Sequence, residues 1–122
     1  MKKIMLLISG ILLLVCAGPA LANKSAVRLE APASAAQGEK ITITLFVTHS
    51  GNNFLHHTKQ VSLTINGKEM ARWEFGWTNT PEAAEFSRSF EYVMDGPITL
   101  ESAASCNVHG SANTATAAVA LQ

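Results

Sequence analysis

Nine residues, Lys40 to Thr48, constrain this chain more than any other stretch. Ile41, Ile43, Leu45 and Val47 alternate with Thr42, Thr44 and Thr48. A period of two suits a strand with one buried face and excludes an amphipathic helix. The pattern recurs along the chain. Ala26 to Glu30 alternates until Pro32 stops it; Val61, Leu63 and Ile65 share a face; so do Ala71, Trp73 and Phe75. Phe86, Phe90 and Tyr92 follow, then Ile98 and Leu100 on a strand leading to Cys106, and finally Ala115, Ala117, Val119 and Leu121. Asn66-Gly67 is a strong signal for a two-residue hairpin turn, because both residues tolerate positive φ. Ser34 to Gly38, Thr78 to Glu82 and Asp95-Gly96-Pro97 read as connections.

No stretch of ten residues has a helical period. Seven short strands separated by turn residues predict an all-β fold, a seven-stranded antiparallel immunoglobulin-like β-sandwich. Trp73, Phe75, Trp77, Phe86 and Phe90 are expected to pack in its core.

The sandwich does not use the whole chain. Lys2 and Lys3 precede an apolar run from Ile4 to Ala17, and Ala20-Leu21-Ala22 offers the small residues a signal peptidase reads. Residues 1–22 therefore read as a cleaved signal peptide, with cleavage after Ala22 and a periplasmic or secreted product. Val15 is a poor residue ahead of Cys16 for lipoprotein processing. Residues 23–122 suffice for one domain with a modest core. Without Lys2 and Lys3 the domain keeps seven of the nine Lys plus Arg against nine Asp plus Glu, a net charge of −2. With no basic block and no amphipathic helix, nothing points to nucleic acid or to a membrane surface after signal cleavage.

Cys16 leaves with the signal, so Cys106 is the single thiol of an exported protein and has no disulfide partner within its own chain. It can be buried and inert, cross-linked to another molecule, or a metal thiolate. His109 stands three residues later, ahead of Gly110, where a sharp turn is possible. The other three histidines, His49, His56 and His57, fall in one earlier loop. The seven-residue step from His49 to His56 contains Gly51 and can fold back so that both rings converge. His49, His56, His109 and Cys106 then offer three ring nitrogens and one sulfur, a set that zinc, iron or copper accepts. Neighbours on an extended chain face opposite ways, so His57 joins His56 as a ligand only where the backbone kinks. No serine-nucleophile pattern and no paired carboxylates suggest hydrolytic chemistry.

Cys106-Asn107-Val108-His109-Gly110 resembles the C-N-x-H-G segment of the superoxide reductases, also called neelaredoxins, and of the iron domain of desulfoferrodoxin. His56 with Val61, Leu63, Ile65 and Gly67 is similar to the family strand that begins at a ligand histidine and ends at a turn glycine. His49 corresponds to the preceding ligand histidine, on a loop one residue longer here. Lys24 to Pro32 with Gly38-Glu39 is a fainter echo of the first strand and turn. The resemblance implies an immunoglobulin-like sandwich holding one iron (Fe2+/Fe3+), with Cys106 as axial thiolate and His49, His56 and His109 as equatorial ligands. It implies superoxide as substrate, reduced to hydrogen peroxide, and an electron donor that the sequence does not name. Lys24 would take the catalytic place of the family lysine.

The sequence also departs from that pattern. The family's first histidine ligand follows its lysine; here Ser25 stands there, and the glutamate before the lysine is missing. His57 or water is left as a possible fourth equatorial ligand, and the four-cysteine centre of desulfoferrodoxin is absent. The alternative on the same scaffold is a non-catalytic metal-binding or electron-transfer protein carrying iron, zinc or copper. Copper carriers usually add a methionine just after the second histidine, and none lies between Gly110 and Asn113.

Overall fold

The structure, a computed structural model, describes residues 24–111 and 113–122, so the expected signal peptide lies outside the described residues. Among these, the chain forms eight strands and no helix: β1 (Ala26–Glu30), β2 (Ser34–Ala35), β3 (Lys40–Thr48), β4 (Thr58–Ile65), β5 (Lys68–Glu74), β6 (Glu85–Val93), β7 (Ile98–Cys106) and β8 (Thr114–Leu121). They build a three-stranded sheet, β1-β3-β6, and a five-stranded sheet, β2-β8-β7-β4-β5. All pairings between strands are antiparallel except β2 with β8.

That exception corrects the expected count of seven. Ser34 to Gly38 reads as a connection, yet Ser34 and Ala35 run parallel to Ala120 and Leu121. The backbone amides of Ala120 and Gln122 donate to the carbonyls of Ala33 and Ala35, at 2.9 and 2.8 Å. Two residues are too short to carry a periodic signal. Their pairing covers the otherwise open edge of β8, where unpaired N–H and C=O groups invite association.

The alternation does what hydrophobic burial requires. Ile41, Ile43, Leu45 and Val47 from one sheet and Val61, Leu63, Ile65, Ile98 and Leu100 from the other join in one buried cluster. Each such side chain contributes about 1.5–3 kcal/mol through removal from water. The hairpin turn has its expected conformation: Asn66 and Gly67 have φ of 50° and 82°, positive at both central residues, as a type I′ turn demands. Asn66 also ties the turn to the neighbouring strand, its Oδ1 accepting the Thr99 backbone N–H at 2.9 Å.

Across the sheets, the Asn113 carboxamide pairs with both backbone groups of Val27. Its Oδ1 accepts from the Val27 N–H and its Nδ2 donates to the Val27 carbonyl, each at 3.0 Å. Trp77 does not join the core and is 72% exposed. Gly76 and Asn79 exchange backbone hydrogen bonds of 3.1 and 3.0 Å, which places Trp77 at the tip of a tight turn.

Candidate metal centre

The inward phase of two strands runs directly into the site. On β3 the buried positions Ile41, Ile43, Leu45 and Val47 are followed two residues later by His49, which is 1% exposed. On β7 the series Ile98, Leu100, Ser102, Ala104 ends at Cys106, 3% exposed. One strand belongs to each sheet, so the imidazole and the thiol meet where the core ends at one pole.

The third approach needs a phase change. Counting back by twos from Val61 would turn Lys59 inward, but β4 slips register against β7 between Thr58 and Gln60. Thr58 is buried instead and Lys59 is exposed. A β-bulge re-aims side chains in this way next to functional sites, and it redirects the chain just after His56 and His57.

His49 Nε2 and His56 Nε2 lie 3.2 Å apart, and His56 Nε2 and His109 Nδ1 lie 3.1 Å apart. Cys106 Sγ is 4.0 Å from His109 Nδ1. The donor atoms of His49, His56 and Cys106 all fall within 4.8 Å of one another. Two nitrogens bound to one ion at about 2.1 Å, at angles from a right angle to tetrahedral, stand about 3.0–3.4 Å apart. Both nitrogen separations fall within that range, so His56 can share one ion with either neighbouring imidazole. Cys106 Sγ, 4.0 Å from His109 Nδ1, stands farther off than the roughly 3.1–3.6 Å that the same angles give for a sulfur at about 2.3 Å, so it would draw inward to join that ion. The donor types themselves suit a transition metal.

The sulfur is held from behind. The backbone N–H groups of Val108 and His109 donate to Cys106 Sγ at 3.3 and 3.4 Å, and such bonds to sulfur tune metal–thiolate centres. Cys106 and Gly110 close the loop through reciprocal backbone hydrogen bonds of 2.9 and 3.3 Å, with Gly110 at φ 80°. Burial, together with the neighbouring His56, His109 and His57 rings, holds the His49 imidazole below its ordinary pKa, against the opposing hydrogen bond that its Nδ1 donates to Asn52 Oδ1. A neutral ring is the form that binds a metal.

His57 is buried beside these groups, at 5% exposed. Its Nδ1 meets the Asn53 carbonyl at 3.0 Å. A carbonyl only accepts, so Nδ1 carries the proton and the ring lone pair lies on Nε2. Ser25 is fully buried, and its hydroxyl bonds that of Thr58 at 2.8 Å. The Ser25 backbone N–H donates to the Gly110 carbonyl at 3.3 Å, which sets the start of β1, and the backbone of Lys24 before it, beside the Cys106–Gly110 loop.

Several side chains that shape the site had no role of their own in the sequence reading. Asn53 Oδ1 accepts the backbone N–H groups of Leu55 and His56, both at 2.9 Å, an Asx turn that sets the approach of His56. Asn107 joins its own loop to the one carrying His56 and His57, its Oδ1 accepting from the His57 N–H at 3.0 Å and its Nδ2 donating to the Leu55 carbonyl at 3.1 Å. The Gly51-Asn52-Asn53 run was the available signal, since Asn caps turns through its own side chain.

No protein-family model matches the sequence, and no curated protein matches it. Solved structures do. A superoxide reductase (neelaredoxin) from Ignicoccus hospitalis aligns with a TM-score of 0.63 at 18% identity, covering 81% of this chain and 82% of that one. A putative superoxide reductase from Thermotoga maritima aligns with a TM-score of 0.58 at 19% identity, covering 80% and 86%. The CARDB domain of a Pyrococcus furiosus protein in complex with di-metal ions aligns with a TM-score of 0.64 at 15% identity, covering 85% and 95%. The fold is thus the one that superoxide reductases use, and it also serves a domain of another description. Fold alone does not carry function, and the weight falls on the site.

Proposed function

We propose that this chain is an exported mononuclear iron protein of superoxide reductase type, on the immunoglobulin-like sandwich of that family. The single observation that carries the proposal is the convergence of His49 Nε2, His56 Nε2, His109 Nδ1 and Cys106 Sγ at the pole where both sheets end. His49, His56, His109 and Cys106 would hold the iron. His57 is left out of the ligand set because its ring nitrogens are not among the donor atoms that gather there, and Ser25 because its hydroxyl is bonded to that of Thr58.

Iron bound there would supply one electron, so that superoxide, one electron and two protons give hydrogen peroxide. The protein's own contribution is arrangement. The two N–H donors behind Cys106 hold its sulfur toward the histidines, and the buried His49 fixes one side of the donor set. His109 is exposed and His56 partly so, which keeps the pole open to a small anion. Lys24 stands one residue before Ser25, whose backbone N–H meets Gly110, and would raise the local concentration of superoxide by its charge. The donor that restores the electron is a separate partner.

The second reading is a non-catalytic metal-binding or electron-transfer protein, and the donor set itself favours it: three histidines and one cysteine also suit structural zinc. Copper fits less well. Met94 is buried beyond the far end of β6, its N–H on the Glu39 carbonyl, and Met70 lies on β5. Among the described residues neither metal loop holds a methionine.

Superoxide consumption separates the two. Iron-loaded protein should consume superoxide faster than an equal concentration of free iron, with hydrogen peroxide as product. A rate equal to that of free iron would leave the non-catalytic reading.

A further inference from the structure

Asn52 sits at the junction of three chain segments, and its three hydrogen bonds determine one another. Its Oδ1 is 2.8 Å from the backbone N of Thr58, at the start of β4. Its Nδ2 is 2.8 Å from the carbonyl of Ala83, in the connection before β6. A backbone N–H only donates and a carbonyl only accepts, so the carboxamide has one permitted orientation.

The same Oδ1 is 2.8 Å from His49 Nδ1. Oxygen cannot donate there, so Nδ1 must carry the ring proton. The lone pair of His49 is thereby placed on Nε2, the atom that faces His56 Nε2 at 3.2 Å. A backbone bond secures the other side of this residue, the His49 N–H donating to the Ala84 carbonyl at 2.8 Å. Loop entrance, strand start and the connection before β6 are all fastened around one imidazole.

We infer that Asn52 is a positioning residue for metal binding: it selects the Nδ1–H tautomer of His49 and aims Nε2 into the donor set. The inference rests on the metal-centre reading above but not on iron or on superoxide turnover. A partner behind a metal-bound histidine that accepts its second ring N–H fixes ring orientation and raises its basicity, and losing such a partner typically costs 10–100-fold in metal affinity.

The test uses cobalt(II) as probe and nitrogen NMR of the metal-free protein. Wild type should show His49 protonated at Nδ1. Asn52→Leu should weaken cobalt(II) binding about 10–100-fold. Asn52→Asp retains an acceptor for both His49 and Thr58 and should stay within a few-fold of wild type. Rescue by Asp and not by Leu is what a merely space-filling Asn52 would not give. His49 protonated at Nε2 in the wild type would overturn the inference even if both variants failed to fold, and so would equal cobalt(II) affinity in wild type and Asn52→Leu. A wild type that bound no metal would instead remove the proposed function, while the tautomer would still report on Asn52.

Discussion

His49, one residue past the end of β3, and Cys106, the last residue of β7, continue the inward-facing series of two strands that belong to different sheets, and their donor atoms lie within 4.8 Å of each other. Each continues the period of its own strand, so the packing of the core and the placement of the site have one cause. The sheets come together because Leu45, Leu63 and their neighbours leave water, and that same packing brings an imidazole to a thiol.

Removing either end of this pair should release the metal. Cys106→Ser and His49→Ala are each expected to lose most of the bound metal when purified beside the wild type, with elemental analysis as the readout. His57→Ala should retain it, because the His57 ring nitrogens stand outside the group of converging donor atoms. Metal lost from His57→Ala to the same extent as from His49→Ala would put His57 among the ligands.

Core and surface aromatic positions should respond very differently to truncation. Leu45 is fully buried in the shared cluster, and Leu45→Ala is expected to cost about 2–5 kcal/mol in urea unfolding through lost transfer energy and an unfilled cavity. Trp77 lies at an exposed turn tip, and Trp77→Ala should change stability by no more than about 0.5 kcal/mol.

The hairpin turn offers a backbone test. Gly67 has φ 82°, and a Cβ there would meet nothing within 4 Å, so any penalty is conformational. Gly67→Ala should destabilise by about 1–2 kcal/mol, the cost of the left-handed region for an L-residue. Gly96 is equally unobstructed and lacks a positive φ. Gly96→Ala is expected to be neutral or slightly stabilising.

Tyr92 is the chain's one tyrosine, which makes its titration readable by absorbance. Burial first, then the charge and hydrogen bond of Asp95 at 3.2 Å, raises its pKa above the ordinary 10.0. Because the folded value lies above the unfolded one, the contribution to stability is complete below pH 10 and is lost as pH rises through the folded value. Asp95→Asn should lower the phenol midpoint, and an unchanged midpoint would place the cause in burial alone.

The all-β class, the type I′ turn and the convergence of His49, His56, His109 and Cys106 were legible because they rest on period two and on residue chemistry. What escaped were features with no periodic signal. Ser34–Ala35 is too short to alternate, and it is a strand only because β8 has an edge to cover. Trp77 fits the pattern of a core aromatic, but reciprocal bonds between Gly76 and Asn79 turn the chain outward first. The slip between Thr58 and Gln60 depends on how β4 meets β7, a fact of pairing that one strand's sequence does not contain. The carboxamides of Asn52, Asn53 and Asn107 look like loop residues until the partners of each atom are known.

The central claim is that one thiolate and three imidazoles hold a single iron. It is tested most directly by elemental analysis of the purified protein, joined to its visible spectrum in both redox states. The expected result is iron near one per chain, with a thiolate-to-ferric absorption band after oxidation that bleaches on reduction and is absent from Cys106→Ser. Protein that retains no metal, or whose oxidised spectrum is the same with and without the Cys106 sulfur, would contradict it.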